Sequence, residues 1–249
     1  MTNTFQGKVV LITGANSGIG ETAAVLFARA GATVFGVARR KEALEAARAA
    51  HPEIHWVLAD VSQSAQVNAA VDSVVREAGR LDVLVNNAAV FAVGPLEQAS
   101  DEMVRVQFET NVLGTSFVTK AALPALKASK GTILNISSAA GHIPVPNASH
   151  YGATKAAVES FTRSWAKEFA PYGVRVNAIA PGPTETPVFD KLGLPNEAVP
   201  AVKKSFVDQV PLGRMASTEE IARWIVAFAE PSVTWVTGQV ISIDGGMSL

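Results

Sequence analysis

The chain has no cysteine among its 249 residues, so it can form no disulfide and no thiolate metal site. It also lacks any block of like charge. Lys and Arg total 21 against 22 acids, which leaves neither a nucleic-acid stripe nor a polybasic membrane patch. No apolar run approaches the roughly 18 residues of a spanning helix, and Val9 to Ile12 is too short for a signal segment. Four scattered histidines give no metal-ligand spacing, so no metal is expected. No domain boundary and no repeat of solenoid length breaks the chain. What is abundant is apolar residue, 48% against 17% charged, enough for a sizeable core. One domain over residues 1–249 is expected, soluble and cytoplasmic, with neither nucleic acid nor membrane as partner.

Strand and helix patterns alternate along most of this length. Lys8 to Thr13 reads as a buried strand, followed by Gly14-Ala-Asn16-Ser17-Gly18-Ile19-Gly20 and an apolar helical pattern to Ala30. The glycines permit a tight turn, and the N–H groups opening the helix attract a pyrophosphate. Further strands are read at Thr33 to Ala38, His55 to Ala59, Leu81 to Val85, Gly131 to Ser137, Arg175 to Ala180 and Gly238 to Ile243. Helices are read at Glu42 to Ala50, Ser64 to Ala78, Ser100 to Ala128 and His150 to Ala170, with a last one opened by the capping box Ser217 to Glu220. Within the long Ser100 to Ala128 stretch, Asn111 and Gly114 are poor helix formers that invite a local distortion. The alternation predicts a Rossmann-like, doubly wound α/β fold around a parallel sheet. Residues 183–213 break the pattern. They carry a short helix from about Asn196 to Val210 and the apolar Val188, Phe189, Leu192, Leu194, Val199 and Phe206, and read as a lid over a substrate.

Chemistry points to Tyr151 and Lys155. Four residues apart on a helix, they share one face. At about 4 Å and an effective dielectric of about 20, one positive charge is worth roughly 4 kcal/mol, or about three pKa units. A phenol moved toward 7 in this way exchanges protons at neutral pH. After the second strand come Arg39 and Arg40, where an acid would hold a ribose 2′-hydroxyl and an arginine accommodates a 2′-phosphate. NADP(H) is therefore preferred over NAD(H). Asp60 follows the third strand, where its loop faces the adenine.

Taken together, Thr13-Gly14-(x)3-Gly18-Ile19-Gly20, Asn86-Asn87-Ala88, Asn111, Ser138, Tyr151-(x)3-Lys155, Asn177 and Pro181-Gly182 make the chain resemble a short-chain dehydrogenase/reductase from about residue 5 onward. The resemblance implies a seven-stranded sheet and Tyr151 as acid/base. Lys155 would lower the pKa of Tyr151 and bind the nicotinamide ribose. Ser138, rather than Ser137, would polarise the substrate oxygen, and Asn111 would position a water that relays protons to Lys155. It assigns the cofactor to Gly14 through Gly20, Arg39, Asp60 with Val61, Asn86 for the far ribose with Asn87 and Ala88, then Pro181, Gly182, Thr184 and Thr186. The substrate pocket would draw on Ala140, His142, Ile143, His150, Val188, Phe189 and Phe206, and its apolar walls suit a hydrophobic ketone or alcohol. A homotetramer joined through the long helices is implied as well. The activity expected is NADP(H)-dependent carbonyl reduction or secondary-alcohol oxidation. The alternatives are 3-oxoacyl carrier-protein reduction and a non-catalytic NADP(H)-binding redox sensor.

Overall fold

Strands that are apolar at every position must be covered on both faces, and this chain covers them with helices. The computed structural model describes residues 3–189, 197 and 199–249. Among these, seven strands form one sheet: β1 (Val9–Thr13), β2 (Thr33–Ala38), β3 (His55–Leu58), β4 (Val83–Asn86), β5 (Thr132–Ile136), β6 (Arg175–Pro181) and β7 (Val240–Ile243). All pair in parallel, in the order β3-β2-β1-β4-β5-β6-β7. The helices between them are α1 (Gly18–Arg29), α2 (Lys41–Ala50), α3 (Ser64–Ala78), α4 (Asp101–Phe108), α5 (Thr115–Ser129), α6 (Ser149–Phe169), α7 (Val199–Val207) and α8 (Thr218–Ala229). None of the described helices is long and apolar enough to cross a membrane.

The period of two along each strand builds two cores at once. Val10 and Ile12 of β1 join Phe27, Leu44 and Ile225 from α1, α2 and α8. Val9 and Leu11 join Val74, Leu126 and Phe169 from α3, α5 and α6 on the opposite face. Because β1 is followed by β2 on one side and β4 by β5 on the other, the loops leaving β1 and β4 diverge. A crevice opens at the carboxyl ends of the strands, where ligands of such sheets bind.

Two expectations need correction. The helix predicted over Ser100 to Ala128 is divided: α4 and α5 are separated by the π-helical turn Glu109–Gly114. Asn111 in this turn is 1% exposed, and Gly114 is pressed so close to Val61 that an added Cβ would lie 2.8 Å from Val61 Cγ2. The extra residue in the turn lets Asn111 point inward instead of following the α-helical surface. The helix expected from Asn196 to Val210 is the shorter α7; Asn196, Leu192 and Leu194 lie outside the described residues.

Candidate active site

The crevice is lined first by the turn between β1 and α1. Gly14 and Gly18 hold φ of +65° and +61°, the left-handed region that favours glycine. A Cβ on Gly14 would lie 2.9 Å from Ala88 Cα, so the turn and the segment after β4 pass almost backbone to backbone. Thr13 joins them: its Oγ1 accepts the amides of Asn87 and Ala88 at 3.0 Å each. Asn87 donates back to the carbonyls of Thr13 and Gly14. At the head of α1 Ser17 makes no side-chain cap, which leaves the first amides of a 12-residue helix to an outside acceptor. Asn16 and Ser17 are partly exposed beside them, and Ile19 packs on the core. A dinucleotide pyrophosphate fits this donor set.

Around the rim, Arg39 is exposed at the end of β2 with Nη1 3.8 Å from Asp60 Oδ2, and Arg40 is the exposed residue that precedes α2. Asp60 also accepts the amide and hydroxyl of Ser62. Val61 is buried against Gly114. On the far side, Pro181 ends β6, Gly182 lies against Asp244, and Thr184 turns inward to donate to the Gly182 carbonyl. Thr186 comes back over the glycine turn, its Cγ2 only 3.3 Å from where a Gly18 Cβ would stand.

Asn86, expected to hold a ribose, behaves differently. Its side chain is buried and donates to Thr119 Oγ1 and Asn135 Oδ1, both at 2.9 Å. Asn135 in turn donates to Thr162 Oγ1, which makes a polar row beneath the crevice. The alternation of β4 turns Asn86 into the protein, so it is the following backbone that borders the opening.

Next come the reacting groups. Ser138 follows β5, and Tyr151 and Lys155 lie in the first turns of α6. The Ser138 hydroxyl stands next to the Tyr151 hydroxyl, close enough to lower its pKa. Ser137 points the other way and is 2% exposed, which separates the two serines as alternation demands. Lys155 Nζ donates to the Ile136 carbonyl at 2.7 Å and lies 5.6 Å from the centre of the Tyr151 ring. Asn111 Oδ1 accepts the Val90 amide, and its Nδ2 donates to the Val90 carbonyl and to Thr154 Oγ1 on α6. Its side chain thereby clamps the segment carrying Phe91, whose ring stands edge-on to Tyr151 at 4.8 Å. The Asn111 carbonyl accepts from Thr115 Oγ1.

Electrostatics correct the expected acidity of the phenol. Burial pushes Tyr151 up to about 12, against which the Ser138 hydrogen bond lowers it only in part. Burial likewise drives the Lys155 ammonium down to about 8. Desolvation disfavours both charged forms, which moves the two pKa values in opposite directions. The site therefore presents a protonated phenol beside a lysine poised near neutrality.

Of the proposed pocket residues, Ala140 and Ile143 lie partly buried on the loop after Ser138. Phe189 is buried and meets Phe206 of α7 edge to face at 6.0 Å, with Val188 partly buried next to it. His142 is turned behind the site: Nδ1 lies 2.9 Å from Glu159 and Nε2 3.1 Å from Ser242. His150 lines a separate cavity of about 500 Å³ with Leu96, Ala99, Val104 and Phe108. Sequence reading placed Thr13 and Thr154 only within longer motifs, with no role of their own, and passed over Glu159. Small hydroxyls and a helix glutamate carry no local signal, since their partners lie up to 75 residues away.

The chain matches the family described as enoyl-(acyl carrier protein) reductase over residues 14–248. It is 39% identical over 248 residues to 3-oxoacyl-[acyl-carrier-protein] reductase FabG of Thermotoga maritima, covering 98% of both chains. It is 35% identical over 245 residues to cyclopentanol dehydrogenase of Comamonas sp., with 96% of each covered. Among solved structures, 3-ketoacyl-(acyl-carrier-protein) reductase from Brucella melitensis complexed with NADH superposes with a TM-score of 0.90 at 34% identity, covering 98% of this chain and 99% of that one.

Proposed function

Because this chain belongs to the short-chain dehydrogenase/reductase family and is an oxidoreductase of CH–OH/C=O pairs, we propose that it reduces small apolar ketones, with Tyr151 as proton donor and NADP(H) as the preferred cofactor. The observation that carries this reading is Ser138 standing beside the Tyr151 hydroxyl, close enough to lower its pKa, with the Lys155 ammonium 5.6 Å from the phenol ring. A nicotinamide dinucleotide supplies the hydride when bound.

The protein's own residues account for the rest. Ser138 holds the carbonyl oxygen by a hydrogen bond and polarises it. Tyr151, kept protonated by its burial, passes its hydroxyl proton to that oxygen as negative charge develops there. Lys155 then has more to do for the phenolate being formed than for the resting phenol, because its charge is felt most where anionic charge appears. In the reverse direction Tyr151 must first lose its proton.

Arg39 supports the NADP(H) preference, since its exposed guanidinium stands at the β2 end beside Asp60. Phe91 against Tyr151, together with Phe189 and Phe206, supports an apolar substrate. Exposed Phe108, Leu113 and Trp224 support a homotetramer built on helix faces, which light scattering tests directly. The second reading, 3-oxoacyl carrier-protein reduction, is favoured by the likeness to the Thermotoga enzyme. Against it, Arg163, a candidate contact for an acidic carrier, is engaged with Glu159 at 3.3 Å. Following NADPH oxidation with a graded ketone series and with a carrier-bound 3-oxoacyl group separates the two. Tyr151→Phe is expected to cost roughly 10²- to 10⁴-fold in kcat, and unimpaired turnover would remove Tyr151 from the chemistry.

A further inference from the structure

One buried carboxyl beside the site has no part in the chemistry above. Glu159 lies on α6 one turn beyond Lys155, and its side chain is 3% exposed. Three groups converge on it. Ser137 donates from the end of β5 at 3.0 Å, His142 from the loop after Ser138 at 2.9 Å, and Arg163 from the next turn of α6 at 3.3 Å. A carboxylate only accepts, so His142 presents Nδ1–H to it, while its Nε2 meets the Ser242 hydroxyl on β7 at 3.1 Å. Ser137 Oγ is also 3.3 Å from the Lys155 carbonyl. The loop backbone sits directly over the carboxyl, since a Cβ on Gly141 would lie 2.7 Å from Oε1.

We propose that Glu159 is a positioning residue that fastens the Ser138 segment to the helix carrying Tyr151 and Lys155. Ser138 is flanked by groups held from that helix: Ser137 before it, and His142 at the end of the short turn Ala139–Gly141 after it. Burying a carboxyl is unfavourable unless it is fully partnered, and an apolar side chain would fill the space without that cost. What an apolar side chain cannot supply is directional bonds to two points of a neighbouring loop. The result is a Ser138 hydroxyl held at the Tyr151 hydroxyl with little freedom to drift, and drift of about 1 Å at such a point costs on the order of 100-fold in rate.

This inference rests on reading Ser138 and Tyr151 as the reacting groups, and two readouts keep the questions apart. The amides of Gly141, His142 and Ile143 are bonded to Ser138 and Ala139 carbonyls, so hydrogen exchange reports how firmly the loop is held. Glu159→Gln keeps an acceptor for Ser137 and His142, whereas Glu159→Ala keeps none. The alanine variant is expected to speed exchange over residues 138–143 by about tenfold or more. It should also lower kcat for ketone reduction by roughly 10- to 100-fold while the dinucleotide Kd stays within about threefold. The glutamine variant should restore both to within about threefold of wild type. Unchanged exchange in Glu159→Ala overturns the proposal whatever the activity. So does faster exchange with unchanged kcat, or a glutamine variant as impaired as alanine. Should Glu159→Ala not fold, Ser137→Ala removes one bond and carries the same expectations at about three- to tenfold. A wild-type protein that reduced no carbonyl would sink the reading of the site, and the exchange data would still decide whether Glu159 holds the loop.

Discussion

Tyr151 and Lys155 show how one environment acts with opposite sign on an acid and a base. Burial raises the phenol and lowers the ammonium, because both lose hydration in their charged forms. The sign has a measurable consequence. With its pKa near 8, Lys155 is charged below that pH and loses its charge as pH rises through it. The value of kcat/KM for the dinucleotide, which reports ionisations of the free protein, should be level toward neutrality and fall by up to about tenfold per unit well above that pKa. No second limb is expected there from Tyr151, whose proton is held to about 12. Lys155→Arg keeps its charge and should remove the alkaline limb, and a limb that persisted would belong to another group. Arg39 yields a separate prediction: Arg39→Ala should lower the NADPH to NADH ratio of kcat/KM by roughly tenfold or more, the loss of one charge-assisted phosphate contact.

At the scale of elements, the π-helical turn between α4 and α5 decides where a buried amide points. Asn111 satisfies both backbone groups of Val90 and reaches Thr154 on α6. Asn111→Ala leaves the Val90 amide without its partner, at a cost of about 1–3 kcal/mol for the unsatisfied group. Denaturant unfolding should show that loss, with faster hydrogen exchange at Val90 and the Phe91 segment. The β1–α1 turn makes a sharper case. Gly14→Ala adds about 1–2 kcal/mol of left-handed strain to a Cβ contact at 2.9 Å from a neighbouring backbone atom. A drop in Tm of several degrees, on the order of 2–4 °C per kcal/mol for a chain of this size, should come with weakened dinucleotide binding.

The whole sheet is tied at its amino-terminal edge by Asp82, far from the crevice. Its carboxyl accepts from Arg80, Lys8 and the Val9 amide, joining β1 to the entrance of β4. Burial alone would raise its pKa, but these hydrogen bonds outweigh that and hold it below the ordinary carboxylate value. Since the folded pKa is the lower one, the stabilisation is complete above the unfolded value of 3.8 and is lost as pH falls through the folded value. Asp82→Asn should therefore cost about 2–4 kcal/mol near pH 7 and much less in strong acid, as read by urea unfolding at the two pH values. What the sequence determined by itself was whatever the chain's own connectivity imposes. Alternation of apolar runs dictated strand, helix and a parallel sheet. Glycine at Gly14 and Gly18 announced a turn, and a spacing of four put Tyr151 and Lys155 on one face, because those relations hold within a few residues of backbone. Only the tertiary structure decided that Asn86 turns inward while Asn87 braces the turn, that Asn111 sits in a π-helical turn, that His142 belongs to Glu159, and that Tyr151 is made less acidic. Each of these depends on solvation and on partners tens of residues distant, such as Thr154 for Asn111 and Ser242 for His142. Those partners come within reach only after the sheet has closed over its helices.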